Sequence, residues 1–205
     1  MTPRTERPRI EGDREQEILD ATLQVLAESG YDRLTMDAVA AQAKASKATL
    51  YRRWTNKVSL VIEALQHMKG FEELPDTGSL RGDLQAAFCG IGGLADTQAV
   101  ATFASVLTAI SRDADFAAAF RRDFVGPKIA ASRLLWERAR ERGELRDGLD
   151  LDLFEPALAG IVLHRMFVMG ELPDPDVITR VIDQIILPAA IRGPATPHDS
   201  HPESD

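Results

Sequence analysis

Apolar residues recur along this chain at the three-to-four-residue interval of helices. Ile18, Leu19, Thr22, Leu23, Val25 and Leu26 form one such stripe. Asp13 followed by Gln16 resembles a capping box, and Gly30 suits the position beyond a helix end, so the pattern predicts a helix over 14–29. Thr35 is a second N-cap candidate, ahead of Met36, Val39, Ala40 and Ala43. Ser46 is a third, opening a short helix over 47–53. Asn56 is a fourth, before Val58, Val61, Ile62 and Leu65 at i, i+3, i+4 and i+7. Residues 72–79, with Pro75 and Gly78, read as a linker. Beyond it the pattern predicts helices near 80–94, 97–111, 114–124, 127–142, 151–169 and 174–191. Pro156 is expected near the start of its helix, where its missing N–H is tolerated. Period-two runs joined by Gly turns are absent, which predicts an all-α chain of about nine helices.

The two ends differ from this pattern. Residues 1–12 carry Pro3 and Pro8 and are expected to form a flexible arm; residues 193–205 are polar and Pro-rich and are expected to be disordered. Between them the reading is a smaller helical module over 13–70 and a larger helical body over 71–192.

Composition narrows the class. The chain has 205 residues, 44% hydrophobic and 27% charged, which excludes wholesale disorder. It has no apolar run long enough to span a membrane and no apolar signal-peptide core at its start, so no membrane partner is expected. A single cysteine, Cys89, allows no internal disulfide, and together these features favour the cytoplasm. The net charge of −8 hides an asymmetry. Residues 1–70 hold 11 Lys or Arg against 10 Asp or Glu, and residues 42–57 hold five cations and no acid. A basic patch on an acidic chain suggests one site for a polyanion. A solvated helix face is the plainer alternative.

That patch falls on the two short helices. Their spacing suits a helix-turn-helix, whose second helix enters the major groove of double-stranded DNA. The second helix would carry Lys47, Ala48, Thr49, Tyr51 and Arg52. Its cations can reach guanine O6 and N7 or phosphates, its small residues permit close approach, and Thr49 can meet a thymine methyl or a phosphate. The helix starts at Thr35 and Ser46 offer backbone N–H groups to phosphate oxygens. Leu50 would turn inward.

Over residues 18–65 the sequence resembles the TetR family of transcriptional regulators. The resemblance rests on Ser29-Gly30-Tyr31, Thr35, Val39-Ala40, the small turn at 43–46, Thr49-Leu50-Tyr51, Trp54 and Lys57. It implies phosphate contacts at Thr35, Tyr51 and Lys57. It implies base-edge positions at Lys47, Ala48 and Thr49, with Arg52 and Arg53 beside them and Trp54 packing the module. Lys44 stands where the family usually has glycine. Either the turn keeps a positive φ there, at a cost of about 1 kcal/mol, or it is rearranged; in the latter case Lys44 would add a phosphate contact. The resemblance further implies a homodimeric repressor on a pseudo-palindromic operator, released by a ligand held in the C-terminal body.

The residues of that body support these roles only in general terms. Phe88, Ile91, Phe103, Leu107, Phe120, Phe124, Trp136, Met166 and Phe167 are candidates to line an apolar pocket, and equally to fill a core. The acidic balance of this half favours a neutral or cationic apolar ligand. The last two predicted helices are apolar on more than one face, which nominates Val162, Val177, Val181, Ile182 and Ile185 for a dimer interface or for the interior of one protomer. His164 is read as an interior histidine or a ligand contact. No Ser-His-Asp context, metal-ligand spacing or phosphate loop supports catalysis, and no metal or cofactor is expected. A small-molecule-binding helical protein with a vestigial DNA-binding domain is the alternative.

Overall fold

The computed structural model describes residues 11–68, 74–89, 97–172 and 174–191. The expected disordered tail and all but the last two residues of the expected arm lie outside them. Among the described residues every regular element is helical, apart from one isolated bridge between Leu145 and Ile191. The helices are α1 (Glu11–Ser29), α2 (Met36–Gln42), α3 (Lys47–Arg53), α4 (Lys57–His67), α5 (Leu80–Cys89), α6 (Thr97–Arg112), α7 (Ala114–Ala119), α8 (Gly126–Glu141), α9 (Leu151–Phe167), α10 (Pro175–Val181) and α11 (Leu187–Ala190). No helix among them is long and apolar enough to cross a membrane.

The first helix begins earlier than expected. Glu11 is already helical, so Asp13 lies inside α1 instead of capping it. Acidic side chains in a first turn complement the positive end of the helix dipole, which favours this extension. Gly30 ends α1 at φ +77, a left-handed conformation that costs glycine little.

One predicted break is bridged, and the expected helix over 174–191 contains a π-turn. Residues 114–141 form one helical run, because a π-turn over Phe120–Val125 joins α7 to α8. There the Gly126 N–H bonds the Arg121 carbonyl five residues back. Pro127 cannot donate to the Asp123 carbonyl, and Gln66 Nε2 donates to that carbonyl instead at 2.7 Å. A second π-turn, Ile182–Ile186, joins α10 to α11 just before Pro188. α9 starts at Leu151 as expected, which places Pro156 inside the helix, past its first turn.

The chain divides into two compact units, residues 1–72 with 92–128 and residues 73–91 with 129–205. The first unit is larger than the expected 13–70 module, because α6 and α7 return to it. Its core joins Ile18 and Leu26 of α1, Val39 of α2, Leu50 of α3, Leu60 and Leu65 of α4, and Val106 and Phe116 of α6 and α7. Tyr31, Phe116, Phe120 and Phe124 follow one another as a row, with ring centroids 4.4, 6.0 and 4.9 Å apart. Such spacing adds aromatic attraction to the area buried.

In the second unit Leu80, Leu84, Trp136, Leu158, Ile178, Ile182 and Ile186 pack together. Asp83 is fully buried but satisfied. It accepts from the Thr77 N–H at 2.6 Å, from the Thr77 hydroxyl at 2.8 Å and from Arg142 at 3.2 Å. Arg138 donates to the Pro75 carbonyl, and Glu144 accepts from the Leu80 N–H. These bonds fasten residues 75–83 to the end of α8.

Candidate nucleic-acid interface

The recognition module is assembled from caps outward. Thr35 Oγ1 accepts from the Ala38 N–H at 3.1 Å and opens α2; Ser46 Oγ accepts from the Thr49 N–H at 3.1 Å and opens α3. Each such cap stabilises its helix by about 1 kcal/mol. Asn56 and Ser59 form a reciprocal capping box at the start of α4.

The turn between α2 and α3 is a Schellman arrangement. The Ala45 N–H bonds the Ala40 carbonyl at 2.8 Å, and the Lys44 N–H bonds the Ala41 carbonyl at 3.1 Å. Lys44 occupies the left-handed position at φ +51 and is the only non-glycine with positive φ among the described residues. The turn therefore keeps the shape glycine would give it. Arg14 Nη2 of α1 donates to the Lys44 carbonyl at 2.6 Å, and Glu17 holds Arg14 in place.

On α3, Leu50 is fully buried, and Trp54 just beyond its end is nearly so. Lys47, Ala48, Tyr51 and Arg52 stand at i, i+1, i+4 and i+5 and are exposed, so they share the outward face. Tyr51 is 56% exposed, unusual for a large ring with no covering element. Thr49 is half-buried, and its hydroxyl lies 2.9 Å from that of Ser46.

Three of the expected DNA-contacting cations already have partners. Lys47 Nζ lies 2.7 Å from Asp37, whose carboxylate raises the lysine above its ordinary pKa. Arg53 bonds Glu15 at 3.0 Å and Glu63 at 2.8 Å, and Glu63 also accepts from the Trp54 indole at 2.9 Å. The bond to Arg53 holds the Glu15 carboxyl below its usual value. Arg53 therefore braces α3 against α1 and α4. Lys57 Nζ sits 4.1 Å from the centre of the Tyr31 ring and donates to the Tyr31 carbonyl at 3.3 Å. Sequence reasoning missed Asp37, Arg14, Glu15 and Glu63, because no local spacing signals partners 10 to 38 residues away.

The comparisons with known proteins agree with this geometry. Residues 18–64 match the family model for bacterial regulatory proteins of the tetR family, and residues 74–185 match that for the tetracyclin repressor-like C-terminal domain. The chain belongs to the TetR family. An uncharacterised HTH-type transcriptional regulator of Mycobacterium bovis is 36% identical over 87% of this chain and 89% of its own length. A DNA-binding transcriptional repressor, TetR, of Mycobacteroides abscessus is 36% identical over 83% of this chain and 90% of its own. The crystal structure of the TetR family transcription regulator SCO0332 superposes with a TM-score of 0.65 at 27% identity, covering 86% of this chain and 98% of that one. The protein is a helix-turn-helix transcriptional regulator of this family.

Other TetR-family expectations meet the structure less well. Phe103, Phe120 and Phe124 fill or flank the core of the first unit; Trp136 fills the core of the second, with Phe88 packed against it. Leu107 is 42% exposed on the outer side of α6, Met166 is buried, Phe167 is half-buried, and Ile91 lies outside the described residues. None of these lines the depression bounded by Arg14, Glu17 and Gln42 or the one bounded by Asn56, Glu63 and Arg122. Val181 and Ile182 belong to the monomer core, at 7% and 0% exposure, which removes them from any dimer surface. Val162 and Val177 are half-buried, and Ile185 is 52% exposed. His164 is exposed, not interior. Among the described residues no cluster of three His, Cys, Asp or Glu could hold a metal ion.

Proposed function

We infer that this regulator is a repressor that works as a homodimer in the cytoplasm, holds a pseudo-palindromic operator, and lets go when a small apolar neutral or cationic molecule binds its C-terminal region. The observation that carries this reading is the outward face of α3, where Lys47, Ala48, Tyr51 and Arg52 stand exposed over a buried Leu50. Those side chains supply donors for base edges and phosphates on a helix short enough to seat in the major groove. The name of the Mycobacteroides abscessus relative supports repression.

Pairing is supported by α9. Leu153, Pro156, Gly160, Leu163 and Phe167 recur at intervals of three and four, the period of a helix–helix seam. Leu153 is 69% exposed, Leu163 is 37% exposed, and nothing lies within 4 Å of where a Cβ on Gly160 would sit. A small residue amid uncovered leucines lets a second helix approach closely. One short recognition helix reads few base pairs, and two-fold pairing doubles them. Ligand favours release only to the extent that it binds the non-DNA-binding state more tightly.

The experiment is selection from a pool of random-sequence duplexes, followed by light scattering of the complex. A palindromic consensus, with half-site centres about 34–36 Å or a multiple apart and two protomers bound, is the expected result. A monomer on an asymmetric site would overturn the dimer. No enrichment at all would favour the helical small-molecule-binding protein with an idle first module.

A further inference from the structure

One acid stands beside the start of α3, and its position is unusual. Asp37 stands in the first turn of α2, and Lys47 is the first residue of α3. Their charged atoms lie 2.7 Å apart, and the side chains are 58% and 64% exposed. Exposed pairs of this kind contribute little to folding. Lys47 also gains nothing from its helix, because a cation in the first turn opposes the helix dipole. Lys47 is thus not explained by stability, and Asp37 gains only the small benefit of an acid in the first turn of α2. A carboxylate beside the α3 face would moreover repel the phosphate backbone that the other side chains attract.

The major groove offers groups that suit both heads. Lysine donates to guanine O6 or N7, and a carboxylate accepts from the cytosine N4 amine. In a G·C pair, guanine O6 and cytosine N4 are themselves hydrogen-bonded, about 2.9 Å apart. The separation of the Lys47 and Asp37 heads matches that edge.

Resting on the reading of α3 as the recognition helix, we propose that Asp37 and Lys47 together read one G·C pair in each half-site. Lys47 donates to guanine and Asp37 accepts from its paired cytosine. Off the operator, Asp37 neutralises Lys47 and so weakens attraction to arbitrary duplexes. An A·T pair reverses the order, presenting adenine N6–H₂ to Lys47 and thymine O4 to Asp37, whereas a T·A pair keeps the order but has a methyl group in place of guanine N7, so Lys47 loses its second acceptor.

The test uses the full chain and two probes, a random duplex pool and a mixed-sequence 30-base-pair duplex. The unmodified protein is expected to select a fixed G·C pair in each half-site. Asp37→Ala should lower the G·C over A·T preference at that position about tenfold and leave the other positions unchanged. It should also bind the mixed-sequence duplex several-fold more tightly, with a salt slope steeper by about 0.9 as Lys47 becomes a phosphate ligand. Lys47→Ala should relax the same position, and the double variant should relax it no further. Thermal melts of Asp37→Ala and Asp37→Asn should shift alike, and only by the small loss of one first-turn acid, which separates reading from folding. Unchanged discrimination in Asp37→Ala, or an even loss at every position, overturns the inference while leaving α3 as the recognition helix. No enrichment by the unmodified chain overturns both.

Discussion

Arg14 of α1 donates to the backbone carbonyl of Lys44 at 2.6 Å, so the helix that leads the module clamps the turn between its two recognition elements. Lys44 is held at φ +51, where a side chain costs about 1 kcal/mol that glycine avoids. Lys44→Gly is therefore expected to raise stability by about 1 kcal/mol in urea titration. The same change should weaken binding to every duplex and flatten the salt slope by about 0.9, through loss of one exposed cation beside α3. A stabilised variant with an unaltered slope would place the Lys44 ammonium away from phosphates.

Lys57 and Tyr51 are expected at phosphates, but they differ in charge. Lys57→Ala should reduce affinity about evenly across sequences and flatten the salt slope by about 0.9. Tyr51→Phe removes a neutral hydroxyl, so affinity should fall with the slope unchanged. Lys57 also lies over Tyr31 at 4.1 Å, so its removal is expected to cost stability, by about 0.5–1 kcal/mol. Equal affinity in the two variants and the unmodified protein would take both residues out of the interface.

What could be seen in the sequence was what local chemistry encodes. Ser46 as a cap, Leu50 turned inward and Arg53 at the helix end define α3 without any distant contact. The left-handed turn was visible as the position where Lys44 replaces a usual glycine. The partners of Lys47 and Arg53 were not visible, because packing of α1, α2 and α4 brings them in from remote positions. The continuity through Pro127 was hidden for the same reason, since the freed acceptor, the Asp123 carbonyl, is satisfied by Gln66, 57 residues earlier. Ile182 and Ile185 could not be told apart by pattern. That segment is apolar on more than one face, and the π-turn over Ile182–Ile186 shifts the phase of the helix face.

Asp113 caps α7, accepting from the Phe116 N–H at 2.9 Å. That bond, more than the neighbouring Tyr31 hydroxyl, holds its carboxyl below the ordinary value of 3.8. A carboxylate with a depressed folded pKa stabilises above its unfolded pKa, and the benefit fades as pH falls through the folded one. Asp113→Ala should thus cost about 1 kcal/mol at pH 7. The gap between variant and parent should narrow only below about pH 4. A gap independent of pH down to 2 would mean that the carboxylate charge is not what caps α7.

The dimer prediction turns on two apolar residues that the structure separates. Ile182 is fully buried in the core of the second unit, whereas Leu163 is 37% exposed on the uncovered seam of α9. A glutamate at the buried site places an unpaired carboxylate among isoleucines, at a cost of several kcal/mol. Ile182→Glu is therefore expected to lose helical circular dichroism or its cooperative melt, whatever the state of assembly. Leu163→Glu puts the same charge on the seam, where water still reaches it in one protomer. It should keep the helical spectrum and halve the mass measured by light scattering at micromolar concentration. Specific DNA binding should fall with it, because each α3 alone reads too few base pairs, while weak salt-sensitive binding to a mixed-sequence duplex survives. A Leu163→Glu chain that remains dimeric and binds its selected operator like the parent would move the interface off this stripe of α9.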